Sequence, residues 1–212
     1  MSKDSNIVIV DYGVGNIHNA IRAFKKFCPN TRLSGNPKII LQADALVLPG
    51  VGSFESGMQG LKKRNLIDPI KEFTASGRPI IGICLGAQLL LSTGYEFGTH
   101  SGLGIALGQV EKFPESGNVK IPHIGWGKIY PPKNTEWKDT ILENVPKNSS
   151  MYFVHSYNLN PDSKDDVLAK AIYGGYEFCA AIKKGNIYGC QFHPERSGEI
   201  GLSIIKNFVE SI

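Results

Sequence analysis

The first half of the chain alternates short apolar runs with stretches of helical periodicity. Residues 6–10 predict a fully buried strand, and from Ile17 to Phe27 the apolar side chains recur every three or four positions, as on one face of a helix. Further strands are predicted at 45–48 and 79–83, and further helices at 54–61, 66–75 and 85–92. Strands and helices that alternate in this order are typical of a parallel sheet with right-handed crossovers.

Beyond Gly94 the chain carries short apolar runs separated by Gly, Pro and Asn. Such runs are typical of hairpins, so we predict an antiparallel or mixed region with a tight turn at Gly185-Asn186. Its strands are predicted at 108–113, 129–130, 151–157, 167–172, 178–183 and 187–192. A closing helix is indicated by apolar residues that share one face, namely Ile200, Ile204, Ile205, Phe208 and Val209. Because no linker separates the halves, we expect a single α/β domain over residues 1–212.

Composition and charge exclude several classes of protein. The 212 residues are 42% hydrophobic and 20% charged, which suits one folded domain and disfavours disorder. The net charge is only +4 and the densest basic cluster is Lys62-Lys63-Arg64, so no nucleic-acid-binding surface is expected. No apolar run is long enough to cross a bilayer, and the polar residues 1–6 lack the features of a signal peptide. We therefore expect a cytoplasmic protein that binds neither nucleic acid nor membranes.

The four cysteines, Cys28, Cys84, Cys179 and Cys190, stand far apart in the sequence. None belongs to a C-x-x-C pair, which argues against both a zinc site and a disulfide framework. We expect no bound metal, and at least one of these thiols is a candidate for chemistry.

The sharpest local motif is Gly82-Ile83-Cys84-Leu85-Gly86, between a predicted buried strand and a predicted helix. A nucleophile elbow requires this context, because small residues two positions to either side allow the sharp turn and the helix N-terminus favours a thiolate. The amide of Leu85 would then point towards an oxyanion beside the sulfur. A lone cysteine at a strand end is more often a buried packing residue, but the two glycines and the strand-to-helix setting favour a nucleophile.

A thiolate nucleophile needs an acid and base partner, and His193 is the strongest candidate among the five histidines. It stands at the end of a predicted strand, where residues i and i+2 lie on the same side. Glu195 is therefore placed to orient the imidazole and to stabilise its charged form, as the third member of a triad. The H-x-E pattern also begins a zinc deaminase signature, but no P-C-x-x-C follows. Taken alone, the fragment would be interpreted as a surface His-Pro turn.

Two glycine-rich segments are open to more than one interpretation. The Pro49-Gly50-Val51-Gly52 segment could offer unblocked N–H groups to an oxyanion, or simply end the preceding strand as a turn. The Gly13-Val14-Gly15 segment is an incomplete dinucleotide-binding fingerprint, because position 18 is His rather than Gly.

Several segments together resemble the class I (triad-type) glutamine amidotransferases, and within them the glutaminase subunits of imidazole glycerol phosphate synthases. The elbow, which continues as Ala87-Gln88-Leu89-Leu90, and His193-Pro194-Glu195 carry the resemblance to the superfamily. The Pro122-His123-Ile124-Gly125-Trp126 segment and residues 152–157 narrow it to that branch. Further similarity is found at 11–16, 48–54 and 102–104. The resemblance implies a flavodoxin-like three-layer sandwich, with a central, mostly parallel sheet and an added antiparallel region.

The resemblance also implies a role for individual residues. Cys84 would attack the side-chain amide of glutamine, His193 would relay protons and Glu195 would orient the histidine. Oxyanion and substrate contacts are implied for Val51, Gly52, Leu85, Gln88, Glu96 and Ser156. The ammonia would pass to a partner (β/α)₈ cyclase subunit, towards which Trp126, Tyr152 and His155 would face. No metal or organic cofactor is implied.

Alternatives from other functional classes stay open at the level of the sequence. Residues 173–179 and 185–190 resemble a paralogous branch that supplies ammonia to a sugar amidotransferase of surface-polysaccharide synthesis. A stand-alone thiol hydrolase would use the same elbow, but would not depend on a partner. A non-catalytic binding module is disfavoured, because Cys84, His193 and Glu195 are all present.

Overall fold

The computed structural model describes residues 5–14, 17–114, 120–133 and 135–212. The resembling segment at 11–16 therefore lies partly outside the described residues. The strands are β1 (Ile7–Val10), β2 (Arg32–Ser34), β3 (Ala45–Leu48), β4 (Ile80–Ile83), β5 (Thr93–Gly94), β6 (His100–Ser101), β7 (Gly108–Lys112), β8 (His123–Tyr130), β9 (Ser149–His155), β10 (Tyr157–Pro161), β11 (Val167–Tyr173), β12 (Tyr176–Lys184) and β13 (Ile187–Cys190). The α-helices are α1 (His18–Lys25), α2 (Pro37–Leu41), α3 (Phe54–Lys63), α4 (Ile67–Ala75), α5 (Leu85–Leu89) and α6 (Gly198–Glu210). Short 3₁₀ turns occur at Lys164–Asp166 and Pro194–Arg196.

All strands belong to one sheet, and its two halves differ in direction. The strands β2, β1, β3, β4 and β13 run parallel in that spatial order. From β13 the sheet continues through antiparallel pairings with β12, β10 and β7, and a branch adds β11, β8 and β9. The predicted α/β fold, parallel first and mixed afterwards, is confirmed.

Helices cover both faces of the parallel part because its strands are apolar on both sides. In β1, Ile7 and Ile9 join one core while Val8 and Val10 join the other, as the alternation of side chains along a strand requires. The first core is closed by α1 and α6, and the second by α2, α3, α4 and α5. This arrangement is the predicted three-layer sandwich.

Several element boundaries differ from the predictions for identifiable reasons. The helix predicted at 85–92 ends at Leu89, because Ser92 N already donates to the carbonyl oxygen of Gly108, the first residue of β7. The strand predicted at 151–157 is divided at Ser156, whose carbonyl accepts from Phe113 N. The edge strand β2 and the short helix α2 were not predicted, since their few apolar residues form no periodic run.

The chain turns as predicted between β12 and β13. Lys184 pairs with Ile187, so Gly185 and Asn186 form the two-residue turn, and Gly185 has a φ of 57° that glycine adopts without strain. Within the described ranges, no helix combines the length and hydropathy needed to span a bilayer.

Candidate active site

Cys84 occupies a strained turn between β4 and α5. Its φ of 52° and ψ of −110° fall outside the regions that L-residues normally adopt, at a cost of about 1–3 kcal/mol. Two backbone hydrogen bonds hold the turn: Cys84 N donates to Cys190 O at 2.7 Å, and Gln88 N donates to Cys84 O at 3.1 Å. The sulfur is thereby presented at the carboxyl end of the sheet, where the sequence predicts a nucleophile elbow.

The two glycines of the elbow are required by close packing. A Cβ on Gly86 would lie 1.7 Å from the carbonyl oxygen of Leu48, and a Cβ on Gly82 would lie 2.6 Å from Ala87 N. Neither neighbour is the mobile end of a side chain, so any larger residue would move the backbone that carries Cys84.

A cavity of about 230 Å³ opens beside the sulfur. It is lined by Val51, Gly52, Cys84, Leu85, Gln88, Glu96, Pro122, Val154, His155, Ser156 and Tyr157. All six residues for which oxyanion or substrate contacts are predicted belong to this lining. A larger cavity of about 640 Å³, lined in part by residues of β10 and β12, contains none of them.

His193 and Glu195 form a buried pair on the turn that follows β13. The Nδ1 atom of His193 lies 2.8 Å from Oε1 of Glu195, and the two side chains are 5% and 7% exposed. The 3₁₀ turn Pro194–Arg196 brings the two side chains to the same side. Because β13 lies next to β4, this pair reaches the same end of the sheet as Cys84.

The second nitrogen of His193 remains for Cys84. This Nε2 atom is buried and makes no conventional hydrogen bond within the described part of the chain, while Nδ1 is occupied by Glu195. Burial disfavours the charged imidazole, but its interactions with Cys84 and Glu195 outweigh this effect and raise the pKa of His193 to about 10. The ring is therefore held as an imidazolium at neutral pH.

Glu96 is fixed at the wall of the cavity by the first turn of α3. Its Oε2 atom accepts from Phe54 N at 2.7 Å, at a helix N-terminus where a negative charge is stabilised. The family resemblance implies a substrate contact for Glu96; the structure adds this backbone contact, which leaves the other carboxylate oxygen for a ligand.

The segment after β3, for which oxyanion contacts are predicted, has an irregular backbone. Val51 is 36% exposed, and Gly52 has a φ of 114° that L side chains rarely adopt. The hydroxyl of the buried Tyr12 donates to Pro49 O at 2.5 Å and anchors the start of the segment. Burial raises the pKa of Tyr12, and the charge of Cys84 raises it further, so this hydroxyl keeps its proton. Sequence reasoning did not identify Tyr12 as part of the site.

Side chains alternate between the two faces of β8 and β9, so the residues predicted to face a partner do not all lie on the same face. Trp126 is 61% exposed, and its ring packs edge-on against Tyr152 with centroids 5.9 Å apart. The prediction for His155 is wrong, because its side chain is only 6% exposed and points to the same face of β9 as Met151 and Phe153. It lines the cavity instead.

Two buried residues near the cavity, His123 and Gln191, were missed by sequence reasoning. His123 Nδ1 lies 3.2 Å from His155 Nε2, and burial lowers the pKa of these histidines to about 4 and 3, so both are neutral. Gln191 is fully buried, with its Nε2 atom 3.8 Å from Cys84 Sγ. Gln191 immediately follows β13 and stands two residues before His193, and this position was the available signal.

The remaining cysteines lie apart from this chemistry. All four thiols are free, Cys28 and Cys190 are buried in the core, and Cys179 is partly buried. Burial raises the pKa of Cys179 to about 12 and raises that of Cys190 as well. These two thiols are therefore protonated at neutral pH.

Comparison with known proteins connects this geometry to a family. Residues 8–212 match the family described as glutamine amidotransferase class-I. The chain belongs to this family. It is 50% identical over 211 residues to the imidazole glycerol phosphate synthase subunit HisH 1 of Legionella pneumophila (strain Lens), covering 97% of this chain and 99% of that protein. It is 44% identical to the corresponding HisH subunit of Lactococcus lactis, covering 97% and 98% of the two chains.

Solved structures show the same fold at lower sequence identity. A glutamine amidotransferase crystal structure aligns with a TM-score of 0.73 at 16% identity, covering 97% of this chain and 99% of the other. The structure of PurLQS from Thermotoga maritima aligns with a TM-score of 0.70 at 18% identity and covers 98% of both chains. These likenesses support the amidotransferase fold alone.

The charge of His193 in this amidotransferase can be tested by titration. Its pKa of about 10 lies above the ordinary value of 6.5, so the protonated ring stabilises the fold fully below pH 6.5 and loses this contribution towards pH 10. Because Cys84 contributes to the shift, Cys84→Ala should lower the midpoint of the His193 resonance in an NMR titration. Equal midpoints in the two proteins would show that Cys84 and His193 do not interact.

Proposed function

We propose that this amidotransferase is the glutaminase subunit of an imidazole glycerol phosphate synthase. It hydrolyses glutamine to glutamate and ammonia and passes the ammonia to a (β/α)₈ cyclase subunit. There, imidazole glycerol phosphate and an aminoimidazole carboxamide ribonucleotide are formed in histidine biosynthesis. The observation that carries the proposal is the arrangement of Cys84 in its strained turn beside the buried His193–Glu195 pair. The near full-length similarity to HisH subunits supports the choice of branch.

In the first half-reaction, the Cys84 thiolate attacks the side-chain carbonyl carbon of glutamine and forms a C–S bond. The amides of Leu85 and Val51 are the proposed donors to the oxyanion. When the tetrahedral intermediate collapses, the imidazolium of His193 gives its proton to the departing nitrogen, and the C–N bond breaks. Ammonia leaves and a thioester remains on Cys84.

In the second half-reaction, water attacks the thioester. Formation of the thioester removes the sulfur charge that helps to raise the pKa of His193. The lower pKa favours the neutral ring, which is then available to act as a base. It accepts a proton from the attacking water, while Glu195 keeps the ring oriented through Nδ1. Breaking the C–S bond releases glutamate and restores the thiolate and the imidazolium.

The cavity lining suggests how glutamine is held. We propose that the free carboxylate oxygen of Glu96 accepts from the α-ammonium group, and that Gln88 and Ser156 contact the rest of the substrate.

We further propose that residues 1–212 act as one amidotransferase domain in the cytoplasm, which is consistent with a biosynthetic enzyme of this family.

The proposed docking face for the cyclase lies on β8 and β9. Ile124 and Trp126 are 60% and 61% exposed, and Arg196 stacks on the ring of Tyr152 at 4.2 Å. Aromatic and arginine side chains of this kind are enriched at protein interfaces. Because Tyr152 O accepts from His193 N, this face is bonded directly to the triad segment.

Replacing Cys84 by alanine removes the nucleophile and should reduce glutamine hydrolysis by at least about 10³-fold. The matched control is Cys179→Ala, since Cys179 is a free thiol on β12 that does not line the cavity at the elbow. Its rate should stay within about twofold of the unaltered protein, as expected for a residue outside the chemistry. Glutamate release, measured with the cyclase present, gives both rates; substantial hydrolysis by Cys84→Ala would refute the mechanism.

Partner dependence separates the proposed function from the alternatives. We expect slow hydrolysis by the isolated chain and strong activation by a ligand-loaded cyclase, because the substrate site adjoins the docking face. A stand-alone thiol hydrolase would show equal rates with and without the cyclase.

Complementation of a histidine auxotroph lacking this subunit should succeed, whereas failure by a folded, expressed protein would favour the surface-polysaccharide branch.

A further inference from the structure

We propose that Gln191 is a positioning residue that donates a hydrogen bond to the Cys84 sulfur, with its amide orientation imposed by Gln88 and the carbonyl group of Tyr157. The inference rests on the proposed function, in which Cys84 is the nucleophile. It adds to the triad a donor that favours the thiolate without taking part in proton transfer.

Backbone hydrogen bonds fix the positions of Gln191 and Cys84 at the end of β13. Gln191 N donates to Ala180 O at 2.9 Å on β12, and Cys84 N donates to Cys190 O at 2.7 Å. The side chain of Gln191 is completely buried, and its Nε2 atom lies 3.8 Å from Cys84 Sγ, within the range of an N–H···S hydrogen bond. No solvent competes for this donor.

The neighbouring groups decide which end of the Gln191 amide meets the sulfur. A backbone carbonyl can only accept, so Tyr157 O requires the NH₂ group of Gln88, which lies 3.0 Å away. The same Gln88 nitrogen donates its second proton to Gln191 Oε1 at 3.1 Å. The oxygen of Gln191 is therefore occupied, and its NH₂ group is the end left for Cys84.

The hydrogen bonds that fix the Gln88 amide at Tyr157 O continue through two histidines to β8, which carries part of the proposed docking face. Since Tyr157 O accepts, His155 donates to it from Nδ1 at 2.9 Å, and His155 Nε2 must accept from Nδ1 of His123 at 3.2 Å. Both imidazoles are neutral, because burial lowers the pKa of each. These hydrogen bonds are therefore all donated in one direction, from His123 on β8 through His155 to Tyr157 O. The same strand exposes Trp126.

The sulfur has a different partner in each protonation state. As a thiol, Cys84 Sγ lies 3.7 Å from Val154 O and donates to it. A thiolate has no proton to donate and needs donors, which Gln191 Nε2 and the His193 imidazolium provide. A hydrogen bond to the charged form favours that form. Gln191 therefore shifts the sulfur towards the reactive thiolate.

The test replaces the donor while keeping the volume, with Gln191→Met. We expect the pH midpoint of Cys84 alkylation by iodoacetamide, followed by peptide mass spectrometry, to rise by roughly one pH unit. The kcat for glutamine should fall about tenfold with a smaller change in KM, because the lost contact is to the nucleophile rather than the substrate. The control is Gln109→Met, a half-buried glutamine on β7 outside the cavity, which should change neither quantity.

Two further measurements keep the test decisive. Adding Gln88→Met to Gln191→Met should raise the alkylation midpoint no further than Gln191→Met alone, because the two amides act as one unit. In the unaltered protein, the side-chain amide resonance of Gln191 should titrate with Cys84, and the titration should vanish in Cys84→Ala. This NMR readout does not depend on the folding of a Gln191 variant.

An unchanged alkylation midpoint in folded Gln191→Met, or a Gln191 amide that ignores the ionisation of Cys84, would overturn the inference. Neither result would affect the proposed function if Cys84→Ala is inactive. Hydrolysis retained by Cys84→Ala would instead refute the proposed function itself.

Discussion

The site depends on one constrained turn, in which Cys84 is held at a φ of 52° between β4 and α5. The backbone accepts this strain because the hydrogen bond from Cys84 N to Cys190 O ties the turn to β13. The same strand leads into Gln191, His193 and Glu195. One inter-strand contact therefore sets both the direction of the sulfur and its distance from the groups that control its charge. The parallel part of the sheet, covered by helices on both faces, gives that contact a rigid base.

The electrostatics of the site follow from burial combined with specific partners. Burial alone would keep His193 neutral, as it does His123 and His155, but Cys84 and Glu195 reverse its effect. Because one of those partners is the proposed nucleophile, acylation of the sulfur would change the acidity of His193. In the proposed mechanism the same ring then serves as an acid in thioester formation and as a base in hydrolysis.

Much of the fold and of the geometry of the candidate site can be predicted from local patterns. Short, fully apolar runs identify the parallel strands, and the spacing of His193 and Glu195 predicts the pair observed at 2.8 Å. Features that depend on distant packing escape such reasoning. The burial of His155, the capping contact of Glu96 and the amide pair of Gln88 and Gln191 arise only when separate segments meet. Strand β2 escapes for another reason, since it pairs at an edge with largely exposed side chains.

We propose that Cys84 alone among the four thiols is the nucleophile that attacks glutamine. The most direct measurement is inactivation by a diazoketone analogue of glutamine, which forms a C–S bond to the nucleophile with loss of nitrogen gas, followed by peptide mapping. We expect one label per chain, on Cys84, and protection by glutamine. Inactivation with the label on Cys28, Cys179 or Cys190, or without any label on Cys84, would contradict it.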